Sequence, residues 1–173
     1  MKKVAVITGA GSGIGQAAAL RLAKEGVTIV AVDINEKGGN ETVKMVKDLG
    51  VDSLFIKADV SKAEDVKNYV DRTVEQFGSI DYFFNNAGIS GSGSFFLDTK
   101  VEEIDKIVGI NLMGALYGVY YVAEIMVKNG GGSIVNTASS AGVIGQDSVV
   151  TYSATKHGII GLTKTMVAEY VKD

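Results

Sequence analysis

The sequence predicts an α/β protein built on a doubly wound parallel sheet. Three observations carry that prediction. Short β-rich apolar runs alternate with longer segments of helical periodicity along the 173 residues. The predicted strands are apolar on both faces, the mark of a sheet covered on both sides. A glycine-rich turn, Gly9-Ala10-Gly11-Ser12-Gly13-Ile14-Gly15, joins the first strand to the first helix. Crossovers between parallel strands are right-handed, which sends the helices to both faces.

Val4–Thr8 reads as the first strand. Residues 13–25 follow as a helix, with Ile14, Ala18 and Leu22 spaced to share a face, and Gly26 stops it. Thr28–Asp33 is apolar until its final carboxylate and forms the second strand. Residues 36–49 form a helix with Val43, Val46 and Leu49 inward, closed by Gly50. Ser53–Lys57 is a third, shorter strand. Ser61-x-x-Glu64 is a capping box opening a helix that reaches Phe77 and ends at Gly78. Residues 80–85 are the fourth strand, and 91–94 a flexible loop. Thr99-x-x-Glu102 is a second capping box, starting a helical stretch that reaches Val127. That length exceeds an ordinary globular helix, so an irregularity is expected near Gly109–Asn111. Residues 129–132 turn the chain into the fifth strand, Ser133–Asn136. A last helix covers residues 151–171. No repeat, charge block or linker interrupts the sequence, so residues 1–173 read as one domain.

Composition narrows the chemistry. The chain is 46% hydrophobic and 21% charged, which excludes wholesale disorder. A net charge of −3 argues against nucleic acid as the main partner. Cysteine is absent, so no disulfide, thiolate metal site or cysteine nucleophile exists. The single histidine, His157, removes histidine-rich metal sites and most Ser-His-Asp triads, and no metal is expected. There are 22 glycines and no proline, so turns rest on Gly, Asn, Asp and Ser. The apolar run at the N-terminus is too short for a signal peptide and reads as a strand. The apolar stretch 107–123 is broken by Asn111 and followed by Glu124, and reads as a buried helix rather than a membrane span. A cytoplasmic protein with no membrane partner is the expectation.

The glycine turn offers a close backbone approach, and the helix behind it presents free N–H groups to a phosphate. A nucleoside-triphosphate loop would need Gly-Lys-Ser/Thr, but Gln16 and Ala17 follow Gly15. An S-adenosylmethionine site and a dinucleotide site fit equally well at this point. Asp33 ends the second strand, where a carboxylate accepts hydrogen bonds from adenosine ribose hydroxyls and repels a 2′-phosphate. That predicts NAD over NADP; a solvated loop aspartate is the plainer alternative. Asp59 ends the third strand and would either accept from the adenine amino group or cap the turn before Ser61.

Tyr152-Ser153-Ala154-Thr155-Lys156 is the most informative segment. Positions i and i+4 share a helix face, and an ammonium beside a phenol favours the phenolate. Such a phenol is a useful general acid/base. Ligands of parallel α/β sheets bind beyond the carboxyl ends of the strands. The Ser139 hydroxyl, residues 85–88 and the glycine turn should therefore face one crevice, with Tyr152 and Lys156 on its rim.

Together these residues resemble the short-chain dehydrogenase/reductase family. The matching elements are Thr8-Gly9-x-x-x-Gly13-Ile14-Gly15, Asp59, Asn85-Asn86-Ala87-Gly88, Asn111, Ser139 and Tyr152-x-x-x-Lys156. The resemblance covers the whole chain and implies a Rossmann fold. It implies Tyr152 as the acid/base that exchanges a proton with the substrate oxygen. Lys156 would activate the phenol and hold the nicotinamide ribose, and Ser139 would hydrogen-bond the substrate oxygen. Ser140 is the alternative serine; Ser139 begins the family's Ser-x-x-Gly pattern. Asn111 would hold a water in a proton relay to Lys156. Cofactor contacts would come from Gly9, Ser12, Gly13, Ile14 and Gly15, from Asp33 and Ile34, from Asp59 and Val60, and from Asn86, Ala87 and Gly88.

The implied function is hydride transfer between NAD(H) and a secondary alcohol or ketone. Reduction of a 3-oxoacyl carrier substrate is the alternative within the family, and a nucleotide-binding protein without turnover the alternative outside it. The methyltransferase reading explains neither the Tyr152/Lys156 pair nor residues 85–88. The loops at 91–98 and 143–150 should border the substrate; neither holds an arginine, which favours an uncharged alcohol or ketone, with cyclic ones among the candidates. Tyr117, Tyr120 and Tyr121 read as packing or interface residues, and the resemblance implies a homodimer or homotetramer. A complete doubly wound fold has about six strands. Five are counted here, and the family continues with further strands and a substrate-covering lobe. The expectation is that these C-terminal parts are missing from this chain and that strand 5 is an exposed edge.

Overall fold

The computed structural model describes residues 2–171. Five strands, β1 (Val4–Thr8), β2 (Thr28–Asp33), β3 (Ser53–Lys57), β4 (Tyr82–Asn85) and β5 (Ser133–Asn136), form one sheet in the order β3-β2-β1-β4-β5. Every pairing is parallel. The register aligns the carboxyl ends: Thr8 lies beside Val32, Asp33 beside Lys57, and Asn85 beside Asn136. The order reverses at β1, which leaves a crevice above the β1–β4 boundary.

Alternation along the strands builds two cores. Val4, Val6, Val30, Val32, Ile56 and Phe83 point to one face. They pack against Val66, Tyr69 and Val70 of α3 (Ala63–Phe77) and Val122 and Met126 of α5 (Gly114–Lys128). Ala5, Ile7, Ile29 and Ala31 point to the other face. There they meet Ala19 and Ala23 of α1 (Gly13–Ala23) and Val43 and Val46 of α2 (Glu36–Asp48). At β5 the covering is incomplete: Val135 is 54% exposed, so β5 is an edge strand with an open face among the described residues.

The helices differ from the sequence expectation in instructive ways. The buried stripe of α1 is Gly15, Ala19 and Ala23, while Ile14 is 68% exposed at the mouth of the crevice. Leu49 follows α2 in solvent rather than in the core. Neither capping box forms. The Ser61 hydroxyl donates instead to Asp59 Oδ1 at 2.7 Å, and α3 begins at Ala63. The Thr99 hydroxyl donates to the Phe95 carbonyl at 3.2 Å, and α4 (Val101–Val108) starts two residues later. In both cases a lysine, Lys62 or Lys100, occupies the cap position, so the hydroxyl stands one residue too early to accept from the first helical turn. Gly78 does end α3, in the left-handed conformation at φ 81° that favours glycine.

The expected irregularity is a π-helical segment, Gly109–Met113, between α4 and α5. The run Val101–Lys128 is long and apolar enough to cross a membrane, yet Ile107, Val119, Val122 and Met126 are buried within this fold. It is a core helix. The last helix, α6 (Val150–Tyr170), packs on α4, the π segment and a 3-10 turn at Ser140–Gly142.

Candidate active site

A cleft of about 570 Å³ lies beyond the carboxyl ends of the strands. That volume is in the range of cofactor sites. The loop after β1 contributes Gly9, Ser12, Gly13 and Ile14; β2 ends in it with Asp33 and Ile34; β3 leads into it with Asp59 and Val60. Asn86, Ala87 and Gly88 follow from β4, and Tyr152 and Lys156 reach it from α6.

Three predicted residues stand outside the lining. Gly15 lies beneath the turn: a Cβ there would run into the Gly9 carbonyl, so its hydrogen side chain lets α1 seat against the loop. Asn111 is 1% exposed, and its amide is committed. It accepts from Ile89 N and donates to Ile89 O, both at 2.8 Å, and donates to Thr155 Oγ1 at 3.4 Å. It therefore pins the strand β4 loop to the π segment. Ser139 is half-buried, and its Oγ accepts from Ala141 N at 3.2 Å, capping the 3-10 turn while keeping its own hydrogen to donate. Ser140 faces solvent and accepts from Gln146.

Sequence reasoning missed Ala58, Ile89, Ser90, Ile110 and Thr137, which also line the cleft. Four of them flank motifs already singled out. The rule that placed Ser139 beyond β5 would have found Thr137 directly after Asn136.

The electrostatics divide the cleft. Helix α1 has no acidic residue in its first turn, and its N-cap, Ser12, makes no capping bond. The positive end of that helix is therefore uncompensated and suits a pyrophosphate. Asp33 accepts from Gly11 N and Asn35 N, each at 2.8 Å, which orients its carboxylate at the rim. No salt bridge among the described residues involves Asp33. Lys57, its neighbour across the sheet, pairs with Glu36 at 3.3 Å instead. Asp59 Oδ1 accepts from the Ser61 amide and hydroxyl, so Asp59 caps its turn and lines the cleft at once.

At the other end sits Lys156, 3% exposed. Burial pulls its pKa below the usual lysine value. Its Nζ donates to the Thr137 carbonyl at 2.7 Å and lies 5.4 Å from the Tyr152 ring centroid. His157, one residue on, faces solvent and bonds Ser153 O at 2.9 Å, consistent with a structural role. The groups present thus fit a dinucleotide: free N–H groups at a helix end, an acid at one end and a cation at the other.

Residues 3–173 match the short chain dehydrogenase family. Cyclohexanol dehydrogenase of Acinetobacter sp. (strain SE19) is 42% identical over 168 residues, covering 97% of this chain and 67% of that protein. Levodione reductase of Leifsonia aquatica is 43% identical over 170 residues, covering 97% of this chain and 64% of that protein. A crystal structure of levodione reductase superposes with a TM-score of 0.94 at 42% identity, covering 97% of this chain and 66% of that one. NAD+-bound xylitol dehydrogenase superposes with a TM-score of 0.94 at 38% identity, covering 96% and 64%. The chain spans about two thirds of the length of these relatives. With its parallel sheet, its crevice and a match that runs the length of the sequence, the chain belongs to the short chain dehydrogenase family.

Proposed function

We propose that the protein is an NAD-dependent oxidoreductase that interconverts a secondary alcohol and a ketone. One observation carries the reading: Tyr152 and Lys156 share a cleft with the glycine turn and with Asp33. When bound, the nicotinamide supplies the hydride acceptor for oxidation or the donor for reduction. Tyr152 takes the hydroxyl proton as the alcohol is oxidised and returns it to the carbonyl oxygen in reduction. Lys156 sets a cation beside the ring, where it stabilises the negative charge that develops on the phenol oxygen. Ser139 donates its hydroxyl hydrogen to the substrate oxygen. Asn111 spends its amide N–H groups on Ile89 and Thr155, so it can only accept from a water that relays protons to Lys156.

The preference for NAD rests on Asp33, a carboxylate in no salt bridge among the described residues, at the adenosine end. A 2′-phosphate there would be repelled by the Asp33 carboxylate. The substrate reading rests on the missing cation in the bordering loops and on relatives whose names specify cyclohexanol and levodione. A cyclic alcohol or ketone is the class we favour. We also infer a cytoplasmic homodimer or homotetramer, with Tyr120 of α5 and Tyr170 of α6, both exposed, at its interface.

The test is a panel of secondary alcohols with NAD, followed by NADH absorbance. Turnover of cyclic secondary alcohols supports the reading. NADH binding without turnover of any alcohol or ketone would leave a nucleotide-binding protein instead.

A further inference from the structure

Past the end of β5, one residue ties the two ends of the cleft together, Asn86 through its side chain and Lys156 through its main-chain carbonyl. We infer that the Thr137 hydroxyl is a positioning residue for the cofactor, acting through the Asn86 amide on the glycine turn. The inference rests on the cofactor reading above.

Thr137 Oγ1 donates to Asn86 Oδ1 at 3.2 Å. The Thr137 N–H donates to Asn85 O at 3.1 Å, which holds the residue in line with the sheet. Its carbonyl accepts from Lys156 Nζ at 2.7 Å. Asn86 continues the chain of contacts: its Nδ2 donates to Thr8 O at 3.1 Å and its N–H to Thr8 Oγ1 at 2.9 Å. The amide then lies directly under the glycine turn. A Cβ on Gly9 would stand 3.1 Å from Asn86 Nδ2, and one on Gly15 would stand 3.0 Å from it. The floor of the turn is therefore a side-chain amide, and its orientation has two supports, Thr8 and Thr137.

An amide oxygen in a half-buried site without a donor turns toward water. Removing the Thr137 hydroxyl leaves Oδ1 in that position, and the Nδ2 contact to Thr8 goes with it. The glycine turn loses its floor while the Lys156 anchor, a main-chain oxygen, stays. Cofactor affinity should fall and the chemical step should not.

Thr137→Val keeps the branched shape and removes the donor. In fluorescence titration of the purified protein with NADH, Kd should rise about five- to tenfold, the scale of one lost hydrogen bond. With a turned-over alcohol, KM for NAD should rise with it while kcat stays within about twofold. Thr137→Ser should restore both values. Thr137→Ala removes the same donor without the second branch and should weaken NADH alike, so a poorly folding valine variant does not decide the matter. In an Asn86→Ala background, Thr137→Val should change Kd by less than about twofold, because the two act as one unit. Parental NADH affinity in the folded Val and Ala variants overturns the inference, as does full additivity with Asn86→Ala. A parent protein that fails to bind NADH overturns the cofactor reading and this inference with it. A parent that binds normally beside unaffected variants overturns this inference alone.

Discussion

The Lys156 ammonium lies 5.4 Å from the centroid of the Tyr152 ring, one helical turn along α6, inside the same cleft. The pair should behave as an acid/base unit. Tyr152→Phe keeps the ring and removes the exchangeable proton, so kcat should fall by about 10²- to 10⁴-fold. Lys156→Met should fall comparably, and the double variant little further, because groups acting as a unit are not additive. Steady-state kinetics on a turned-over alcohol checks this; parental kcat in Tyr152→Phe would exclude the proposed role.

Asp33 should set cofactor choice. Asp33→Ala removes both the ribose acceptor and the charge that repels a 2′-phosphate. Its kcat/KM with NAD should fall by about tenfold or more, the scale of one charge-assisted hydrogen bond, while kcat/KM with NADP rises. A parent enzyme that already prefers NADP would defeat the assignment.

Asp81 makes the fold acid-sensitive. Burial disfavours its carboxylate, but Lys3 at 2.7 Å, Val4 N at 2.9 Å and Ser79 outweigh that and hold its pKa below the ordinary 3.8. A lowered carboxylate pKa contributes stability that is present above 3.8 and is lost as pH falls through the folded value. Asp81→Asn should lower stability near neutral pH by about 1 kcal/mol, a charge-assisted bond discounted for solvent. It should also flatten the acid limb of a plot of unfolding free energy against pH. An acid limb identical to the parent's counts against this account.

Tyr69 is fully buried in α3 and its hydroxyl finds no hydrogen-bond partner among the described residues. Burial pushes its phenol well above the ordinary tyrosine range. An unsatisfied hydroxyl in a core opposes folding, so Tyr69→Phe should be neutral or stabilising by about 1 kcal/mol. Thermal unfolding measures it; a destabilisation of more than about 1 kcal/mol would mean that the hydroxyl has a partner after all.

Most of the fold was legible because buried strands announce themselves. Val4–Thr8 and Thr28–Asp33 are apolar on both faces and stop at glycine or a carboxylate, and the observed bounds agree. The helix details were less legible. Periodicity finds an apolar stripe without saying what the stripe meets. Ile14 sits on such a stripe, yet it faces the cleft while Gly15, Ala19 and Ala23 face the sheet. The capping boxes failed for a related reason. Ser61 and Thr99 had the right spacing, but α3 and α4 each start one residue later than the boxes require, with Lys62 and Lys100 at the caps.

The alternation of elements, the glycine turn, the acid ending β2 and the Tyr152/Lys156 spacing were all determined by sequence alone, because each depends on residues close together in the chain. The tertiary structure decided what depends on distant residues. It committed the Asn111 amide to Ile89, turned the Ser139 oxygen to Ala141, and paired Lys57 with Glu36 rather than with its cross-strand neighbour Asp33. It also brought Thr137, Asn86 and Thr8 from the carboxyl ends of three strands into one hydrogen-bonded line. Local spacing cannot encode those choices, since each is a competition among donors and acceptors that only the assembled sheet brings within reach.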